Sequence, residues 1–236
     1  MALRETLVTG AAGMGISLDD TALNRFEAYY EFLEEKNRVM NLTAISGETE
    51  VARLHFLDCL ALMNVTELSG KRMIDIGSGA GFPGMPLKIA CPELELTMLD
   101  SLGKRVTFLE ELTEKLGLTA DCVSARAEEQ VMKPGWRESF DVASSRAVAG
   151  LNILAELCLP YVKVGGLFIS MKSVGSDEEI SAASRAIKEL GGSIERIYDY
   201  EIPGTELTHR AVIIRKKKPT PAKYPRRFAK IKAAPL

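Results

Sequence analysis

The sequence predicts an α/β fold in which a mostly parallel sheet is covered by helices on both faces and preceded by a helical region. From residue 71 onward, short apolar runs alternate with stretches of helical periodicity, which is typical of a parallel sheet. Residues 1–69 contain no strand-like run. Only "PGTELTH" separates the last two apolar runs, so the final pair of strands is expected to be antiparallel.

The helical region contains two apolar patterns with a spacing of three to four residues. The first lies in "SLDDTALNRFEAYYEFLEEKNRV", which begins at Ser17, a residue suited to cap a helix. The second lies in "ETEVARLHFLDCLALM". The earlier segment "GAAGMG" (10–15) lacks the Gly-Lys-Ser/Thr ending of a phosphate-binding loop and is interpreted as a flexible lead-in.

Seven strands are expected after residue 70, with an antiparallel final strand, and four helices are expected between them. The strand candidates are "RMIDIG", "LELTMLD", "TADCVSA", "FDVASS", "GLFISMK", "SIERIYDYEI" and "RAVIIRK". The helix candidates are "GMPLKIA", "KRVTFLEELTEKLG", "GLNILAELCLPYV" and "DEEISAASRAIKELGG". The chain therefore divides into a helical region (1–69), an α/β domain (70–215) and a C-terminal tail (216–236).

Positive charge is concentrated at the C-terminal end of the chain. The formal net charge is −2, yet residues 215–236 hold nine of the 30 Lys and Arg residues and none of the 32 Asp and Glu residues. A basic end on an acidic body fits either a nucleic-acid contact or a solubilising terminus. Pro219, Pro221 and Pro225 predict a tail with no regular structure of its own.

The remaining composition narrows the class of protein. Four widely separated cysteines form no Cys-x-x-Cys pair, and there are only two histidines, so we expect neither a metal site nor a redox motif. No signal-peptide pattern and no run of eighteen apolar residues is present. The sequence favours a reduced, cytoplasmic protein without membrane contact; its oligomeric state is open, with a monomer favoured.

The segment "DIGSGAGFPG" (75–84) is the strongest local signal for a ligand. It follows the first predicted strand of the sheet and contains four glycines. Glycines at such a turn permit positive φ angles and a close approach of a ligand to the backbone. Ligands of α/β sheets bind at the carboxyl ends of strands near this position, so the turn predicts a nucleotide-like ligand.

Two motifs overlap in this turn. Gly79-x-Gly81-x-x-Gly84 fits the dinucleotide fingerprint, but the helix predicted after it is short. Asp75-x-Gly77-x-Gly79-x-Gly81 resembles motif I of class I S-adenosylmethionine-dependent methyltransferases, whose ligand has no pyrophosphate. Asp100 ends the second strand, where its carboxylate suits ribose hydroxyls, although it also suits a strand-end cap. We favour the methyltransferase interpretation over the dinucleotide one.

Further blocks extend this resemblance to one family. They are "NLTAI" (41–45), "HFLDCL" (55–60), "DIGSGAGFPGMPLKI" (75–89), "LDSLGKRVTFL" (99–109), "RAEE" (126–129) and "SRAVAGL" (145–151). Together they resemble the RsmG (GidB) family of bacterial 16S rRNA guanine-N7 methyltransferases. The ending "FAKIKAAPL" departs from the Gly-Thr-Pro type of run that is usual in the family.

The resemblance implies a class I methyltransferase fold, S-adenosyl-L-methionine as cofactor, and 16S rRNA, the small ribosomal subunit or its assembly intermediate as partner. It implies cofactor contacts at Gly77, Phe82, Ala127, Glu128 and Arg146. The residues themselves add Gly79, Gly81 and Asp100 to the cofactor site. Arg146 follows the fourth strand, where a guanidinium suits a carboxylate or phosphate; the alternative is a structural salt bridge to Asp75 or Asp141.

Other candidates are more open. His55 and Asp58 lie three residues apart on one helical face and either approach the site or form a structural pair, which we favour. RNA contacts are assigned to Tyr224, Arg226 and Arg227 in the tail, where Tyr224 and Phe228 lie among the cations and suit stacking on bases. Lys172, at the end of the fifth strand, is a fourth candidate and either faces RNA or is a simple edge charge.

The chemistry expected at guanine N7 needs no catalytic base. N7 already presents a lone pair, and the sequence offers no obvious base or nucleophile after the fourth strand. We therefore name no catalytic acid or base. Two other functions remain possible at this point, an NAD-dependent oxidoreductase and a non-catalytic RNA-binding protein with a methyltransferase fold.

Overall fold

The computed structural model describes residues 2–236, and its N-terminal region is helical, as predicted. The helices are α1 (Ala2–Gly13), α2 (Asp20–Met40), α3 (Glu48–Val51) and α4 (Asp58–Leu60). A π-helical turn, Ala52–Leu57, joins α3 to α4, and a 3-10 turn, Ala61–Asn64, follows α4. Residues 52–60 therefore form one continuous helical path that carries His55 and Asp58.

Two local predictions in this region are wrong. Residues 10–13 belong to α1, and a Cβ added at Gly10 would lie 2.3 Å from Leu57 Cδ1, so the glycine allows α1 to pack closely on the π-helical turn. The cap of α2 is Asp19 rather than Ser17, because the Asp19 carboxylate accepts a hydrogen bond from a backbone N–H of the first turn at 2.7 Å.

The sheet has the predicted architecture within residues 2–236. Its strands are β1 (Arg72–Ile76), β2 (Glu95–Asp100), β3 (Asp121–Ser124), β4 (Phe140–Arg146), β5 (Val162–Ser173), β6 (Gly192–Glu201) and β7 (Thr208–Lys216). They lie in the order β3-β2-β1-β4-β5-β7-β6. β7 is antiparallel to β5 and β6, and the pairs among β1–β5 are parallel, which confirms a mostly parallel sheet with an antiparallel final strand.

Two apolar cores cover the two faces of the sheet. The remaining helices are α5 (Gly84–Ala90), α6 (Gly103–Lys115), α7 (Ala127–Gln130), α8 (Leu151–Cys158), α9 (Asp177–Glu189) and α10 (Phe228–Ala233). On one face, the N-terminal helices share a core with α5 and α6, in which Phe26 and Tyr29 are fully buried beside Met85. On the other face, α7, α8 and α9 share a core with the tail.

The prediction of an unstructured tail is wrong. Residues 228–233 form α10, Ile231 is fully buried, and Tyr224 is 4% exposed. The prolines end β7, but the chain beyond them is held by side chains of the body. The Arg137 guanidinium donates to the carbonyl oxygens of Thr220 and Tyr224 at 2.7 and 2.9 Å, which satisfies backbone groups that have no ladder partner.

Candidate functional site

A cavity of about 420 Å³ opens at the carboxyl ends of β1 to β4. β1 lies where the strand order reverses, since β2 and β3 are on one side of it and β4 and β5 on the other. Open α/β sheets bind ligands in the crevice at this position. The lining residues fall into a β2–β3 side, Asp100, Ala127, Glu128 and Phe228, and a β1–β4 side, Thr43, His55, Phe82 and Arg146.

The glycine turn forms the floor of the cavity. Gly77, Gly79 and Gly81 have φ angles of +75°, +58° and +99°, a region that favours glycine. The space above Gly79 is open, because an added Cβ would meet nothing closer than the Gly77 carbonyl oxygen at 3.9 Å. The side chain of Val148 lies over Gly77, where an added Cβ would be 2.5 Å from Val148 Cγ2.

Gly81 differs from the other two glycines because it is not part of the cavity lining. A Cβ added there would lie 2.7 Å from Tyr29 Oη. That hydroxyl donates to the carbonyl oxygen of Ala80 at 2.5 Å. The lack of a side chain at Gly81 thus allows α2 to pack against the turn and fix its shape.

Asp75, the acid of the motif, lies beneath the turn rather than in the cavity. Its carboxylate is fully buried and accepts hydrogen bonds from Ser144 Oγ at 2.8 Å and from the Gly84 N–H at 3.2 Å. Burial raises its pKa to about 6, although these hydrogen bonds oppose the shift. Asp75 therefore links the turn to β4 and does not form the alternative salt bridge with Arg146.

Asp100 holds the turn from the β2–β3 side of the cavity. It is 3% exposed, and its two oxygens accept hydrogen bonds from the Gly79 N–H at 3.0 Å and the Leu102 N–H at 2.9 Å. A carboxylate has about four lone-pair sites, so these two contacts leave further acceptor capacity at the cavity wall. Asp100 thus fits both interpretations of its position, a strand-end cap and a ligand acceptor.

The next residues of this side come from the start of α7. Ala127 and Glu128 line the cavity, and the Ala127 carbonyl oxygen accepts a hydrogen bond from Tyr161 Oη at 2.6 Å. Glu128 is only 9% exposed, yet no residue within 2–236 donates a hydrogen bond to its carboxylate. Because Glu128 lines the open cavity, its carboxylate is an acceptor available to a ligand.

Arg146 connects the cavity to the helical region. Its guanidinium donates to Asp58 Oδ2 and to His55 Nδ1, both at 3.0 Å, and lies 4.7 Å from the centre of the Phe82 ring. The His55 ring stacks on Phe82 at 4.4 Å between ring centres. The predicted alternatives for His55 and Asp58 therefore combine: the two residues form a structural network with Arg146, and His55 also lines the cavity.

The buried carboxylate of Asp58 is the centre of this network. Its Oδ1 accepts hydrogen bonds from Tyr200 Oη and His209 Nδ1, both at 2.8 Å. Burial raises the pKa of Asp58, but the hydrogen bond from His209 and the charge of Arg146 outweigh burial and lower it below the usual value. The Asp58 carboxylate is therefore ionised and is held by Arg146, Tyr200 and His209. His55 joins this network through Arg146.

The hydrogen bonds around His55 leave the Thr43 hydroxyl as a hydrogen-bond donor toward the cavity. Because a guanidinium only donates, His55 Nδ1 accepts from Arg146. Burial and the neighbouring positive charge lower the pKa of His55 to about 3, so the neutral ring carries its proton on Nε2 and donates it to Thr43 Oγ1 at 2.7 Å. The Ile45 N–H also donates to this oxygen, at 3.0 Å. With both lone pairs used, the Thr43 hydroxyl has only its own proton to offer the cavity.

The four residues assigned to RNA lie outside this cavity lining. Lys172 Nζ donates to Glu179 at 2.7 Å and to the Ala149 carbonyl oxygen at 2.9 Å. Tyr224 Oη donates to Glu189, and Arg226 pairs with the fully buried Glu156. Arg227 is exposed. The structure thus gives three of the four residues partners within the chain, and leaves Arg227 at the surface.

Sequence reasoning missed Thr43 and Val148, and it did not place Phe228 in the cavity. The block "NLTAI" contains Thr43, but no pattern indicated its hydrogen bond to His55. No group of three or more His, Cys, Asp or Glu residues is arranged to hold a metal ion in the described part of the chain. No helix of residues 2–236 is long and apolar enough to cross a membrane.

Comparisons with known proteins show the family of this chain. Residues 22–205 match the family model described as rRNA small subunit methyltransferase G (GidB). The chain belongs to this family. It is 44% identical over 235 residues to the ribosomal RNA small subunit methyltransferase G of Acetivibrio thermocellus, covering 99% of this chain and 97% of the relative. The protein of the same name from Alkaliphilus oremlandii is 46% identical, with all of both chains covered.

Solved structures share the fold of this RsmG family member at low sequence identity. A methyltransferase from Pyrococcus furiosus has a TM-score of 0.57 at 13% identity and covers 83% of this chain and 99% of that chain. The branched-chain polyamine synthase of Thermus thermophilus, solved with 5′-methylthioadenosine, has a TM-score of 0.60 at 16% identity. The match covers 84% of this chain and 66% of the synthase chain. These similarities confirm the predicted class of fold.

Proposed function

We propose that this protein transfers a methyl group from S-adenosyl-L-methionine to N7 of a guanine in 16S rRNA. The observation that carries the proposal is the cavity at the switch point of the sheet, with a glycine floor and two acids on one side, in a chain of the RsmG family. The dinucleotide alternative has less support, because α5 after the glycine turn has only seven residues and the Gly84 N–H at its start already donates to the Asp75 carboxylate.

The residues of the β2–β3 side suit the adenosine part of the cofactor. In the proposal, Asp100 accepts from ribose hydroxyls with its remaining lone pairs, and Glu128 accepts from the exocyclic amine of adenine. The open space above Gly79 admits the ligand close to the backbone, with Gly77 beside it. Ala127 contributes apolar wall, and Gly81 acts through the shape of the turn. Bound here, the cofactor would supply an electrophilic methyl group.

The β1–β4 side is assigned to the target base and to the end of the cofactor that carries the methyl group. Arg146 and Phe82 form a cationic and aromatic surface, held by Asp58 and His55. The Thr43 hydroxyl donates to guanine O6, the acceptor next to N7, whereas adenine presents a donor at that position. Thr43 would therefore favour guanine over adenine.

Catalysis in this proposal is mainly positioning. N7 attacks with its own lone pair, so no side chain has to remove a proton. Holding two reacting groups in near-attack geometry supplies roughly 7–11 kcal/mol of a barrier. The neutral His55 fits this role, because it orients Thr43 and Arg146 without adding a second positive charge to that of Arg146, which is paired with Asp58.

The RNA must present the guanine in an accessible form. The major groove of A-form RNA is too narrow for side chains, so we expect the target to lie in a loop or to be turned out of a helix. Arg227 and the exposed lysines beside it are assigned to phosphate contacts. Lys172, Tyr224 and Arg226 would have to leave internal partners to bind RNA directly, so their proposed role is to shape this surface.

The test is methyl transfer to small ribosomal subunits that lack the modification. Subunits are incubated with labelled S-adenosyl-L-methionine, and the digested nucleosides are analysed by mass spectrometry. We expect label in 7-methylguanosine at a single site. Label in another nucleoside would contradict the N7 assignment, and binding to subunits without any label would favour a non-catalytic RNA-binding protein.

A further inference from the structure

The first residue of α10, Phe228, reaches the cavity from the C-terminal tail. Its ring lines the β2–β3 side together with Ala127 and Glu128, and it also lines a groove between α7 and the tail. The Arg126 guanidinium lies 5.3 Å from the centre of the ring. Phe228 is partly buried rather than solvated, so the last part of the chain contributes a wall of the site.

Buried contacts fix the backbone on both sides of Phe228. Two residues before it, the Arg226 backbone N–H and guanidinium donate to both oxygens of Glu156, at 2.6 to 3.2 Å. Glu156 is fully buried on α8, so this ion pair is shielded from solvent. Three residues after Phe228, the fully buried Ile231 packs into the core beneath α8 and α9. The backbone that carries the ring is therefore held in place by buried contacts.

The residues around the Phe228 ring favour a flat, aromatic part of a ligand. On this side of the cavity lie an aromatic face, apolar Ala127 and the unpartnered acceptor Glu128. A flat heteroaromatic base with an exocyclic amine satisfies both features, by packing on the ring and donating to the carboxylate. Under the proposed function, on which this inference rests, that base is the adenine of the cofactor.

We propose that Phe228 forms part of the adenine-binding wall, which makes the C-terminal tail a determinant of cofactor affinity. The tail is then not simply a basic extension for RNA. Arg126 supports the wall by packing its guanidinium on the ring. The Arg226–Glu156 pair acts as a positioning contact, because it sets where α10 begins.

The test is calorimetric titration of the full-length protein with S-adenosylhomocysteine. Phe228→Ala should weaken binding about tenfold, the typical loss for removing one aromatic partner of a base. Lys230→Ala is the matched control, since Lys230 is an exposed residue of the same helix. The affinity of Lys230→Ala for S-adenosylhomocysteine should stay within twofold of wild type. Circular dichroism and thermal unfolding of each variant show whether α10 and the body remain folded.

A shorter probe and graded substitutions make the test specific. 5′-Methylthioadenosine keeps the adenosine part and lacks the amino acid, so Phe228→Ala should weaken its binding by the same factor as that of S-adenosylhomocysteine. Phe228→Tyr should bind as wild type, and Phe228→Leu should fall between wild type and Phe228→Ala. These two variants decide the question if the alanine variant does not fold.

Three results would overturn the inference while leaving the proposed function intact. They are an unchanged affinity of Phe228→Ala, an equal loss in Lys230→Ala, and a loss for S-adenosylhomocysteine that is absent for 5′-methylthioadenosine. A wild-type protein that binds neither ligand would instead contradict the proposed function itself. The two failures are thus distinguishable in one series of titrations.

Discussion

The two sides of the cavity are built in different ways. On the β2–β3 side, Asp100 ends β2 and Glu128 lies on α7, which follows β3. The hydrogen-bond partners of the Asp100 carboxylate are the backbone N–H groups of Gly79 and Leu102, 21 and 2 residues away in the sequence. On the β1–β4 side, Arg146 is held by His55 and Asp58, which lie 91 and 88 residues away in the sequence. One side is made by strand ends and the other by contacts between distant elements.

This difference predicts how each side responds to substitution. On the β2–β3 side the Asp100 carboxylate is held by two backbone N–H groups, so it can be changed alone, with effects confined to ligand binding and one turn. The β1–β4 side shares one buried negative charge among several partners, so removal of a partner leaves that charge uncompensated. Substitutions there should affect stability and activity together.

Arg146→Ala should have the largest effect. It leaves the Asp58 carboxylate, which is 2% exposed, without its guanidinium, and breaking a buried pair costs about 3–5 kcal/mol. Methyl transfer should fall at least about 100-fold, equivalent to ~2.7 kcal/mol. Urea unfolding and the labelled-subunit assay measure the two effects.

Two variants test whether this loss comes from the buried charge. Arg146→Ala combined with Asp58→Asn should recover much of the stability but not the activity. Arg105→Ala is the control on the other side, because Arg105 is 40% exposed and 3.6 Å from Asp100, and it should cost less than about 1 kcal/mol. An equal loss of stability in Arg105→Ala and Arg146→Ala would remove the distinction between the two sides.

Asp100→Ala should act mainly on ligand binding. It removes the proposed ribose acceptor and leaves the N–H groups of Gly79 and Leu102 without their partner, at a cost of about 1–3 kcal/mol in stability. We expect the protein to fold and to bind S-adenosylhomocysteine roughly 10- to 30-fold more weakly, a loss of about 1.4–2 kcal/mol. Unchanged affinity by calorimetry would refute the ribose assignment.

The same contrast explains what could be predicted from the sequence. The sheet, the glycine turn and the position of Asp100 follow from short-range patterns of apolar runs, glycines and strand ends. The network of Asp58 could not be predicted in this way, since His209 lies 151 residues from it and no local pattern pairs them. Thr43 was missed for the same reason, because its role depends on the hydrogen bonds of His55.

The C-terminal tail shows a second limit of prediction from the sequence. The prolines and positive charges of the tail predicted an unstructured segment. Glu156, in the apolar run "LNILAELCLP", indicated instead that another part of the chain packs on α8. An acid on a buried face needs a partner, and Arg226 supplies it. Deleting residues 216–236 would remove the partner of Glu156 together with the buried side chains of Tyr224 and Ile231, so single substitutions at exposed residues such as Arg227 are the better test of RNA contact.

Thr43→Val examines the Thr43 hydroxyl on the β1–β4 side. The substitution keeps the shape of the side chain and removes the proton proposed to reach guanine O6, together with the oxygen that accepts from His55 Nε2 and the Ile45 N–H. We expect kcat/KM for subunits to fall about tenfold, or ~1.4 kcal/mol, with S-adenosylhomocysteine affinity unchanged. Thr43→Ser should retain most activity. If valine weakens the cofactor instead, the hydroxyl donates to the cofactor and not to the base.

His209→Gln tests how far the β1–β4 network extends, through the pH dependence of stability. The hydrogen bond to Asp58 raises the pKa of His209 above its usual 6.5, so protonated His209 stabilises the fold fully below pH 6.5 and this contribution is lost as pH rises through the folded pKa. Because the His209 side chain is 33% exposed, the contribution should be only about 0.5 kcal/mol. Urea unfolding of wild type and variant at pH 6 and 8.5 measures it as a difference that shrinks at the higher pH. Asp75, whose pKa is raised to about 6, titrates in both proteins and cancels in that difference. A difference that is equal at both pH values would mean that His209 contributes packing alone, and that the charge network ends at Asp58 and Arg146.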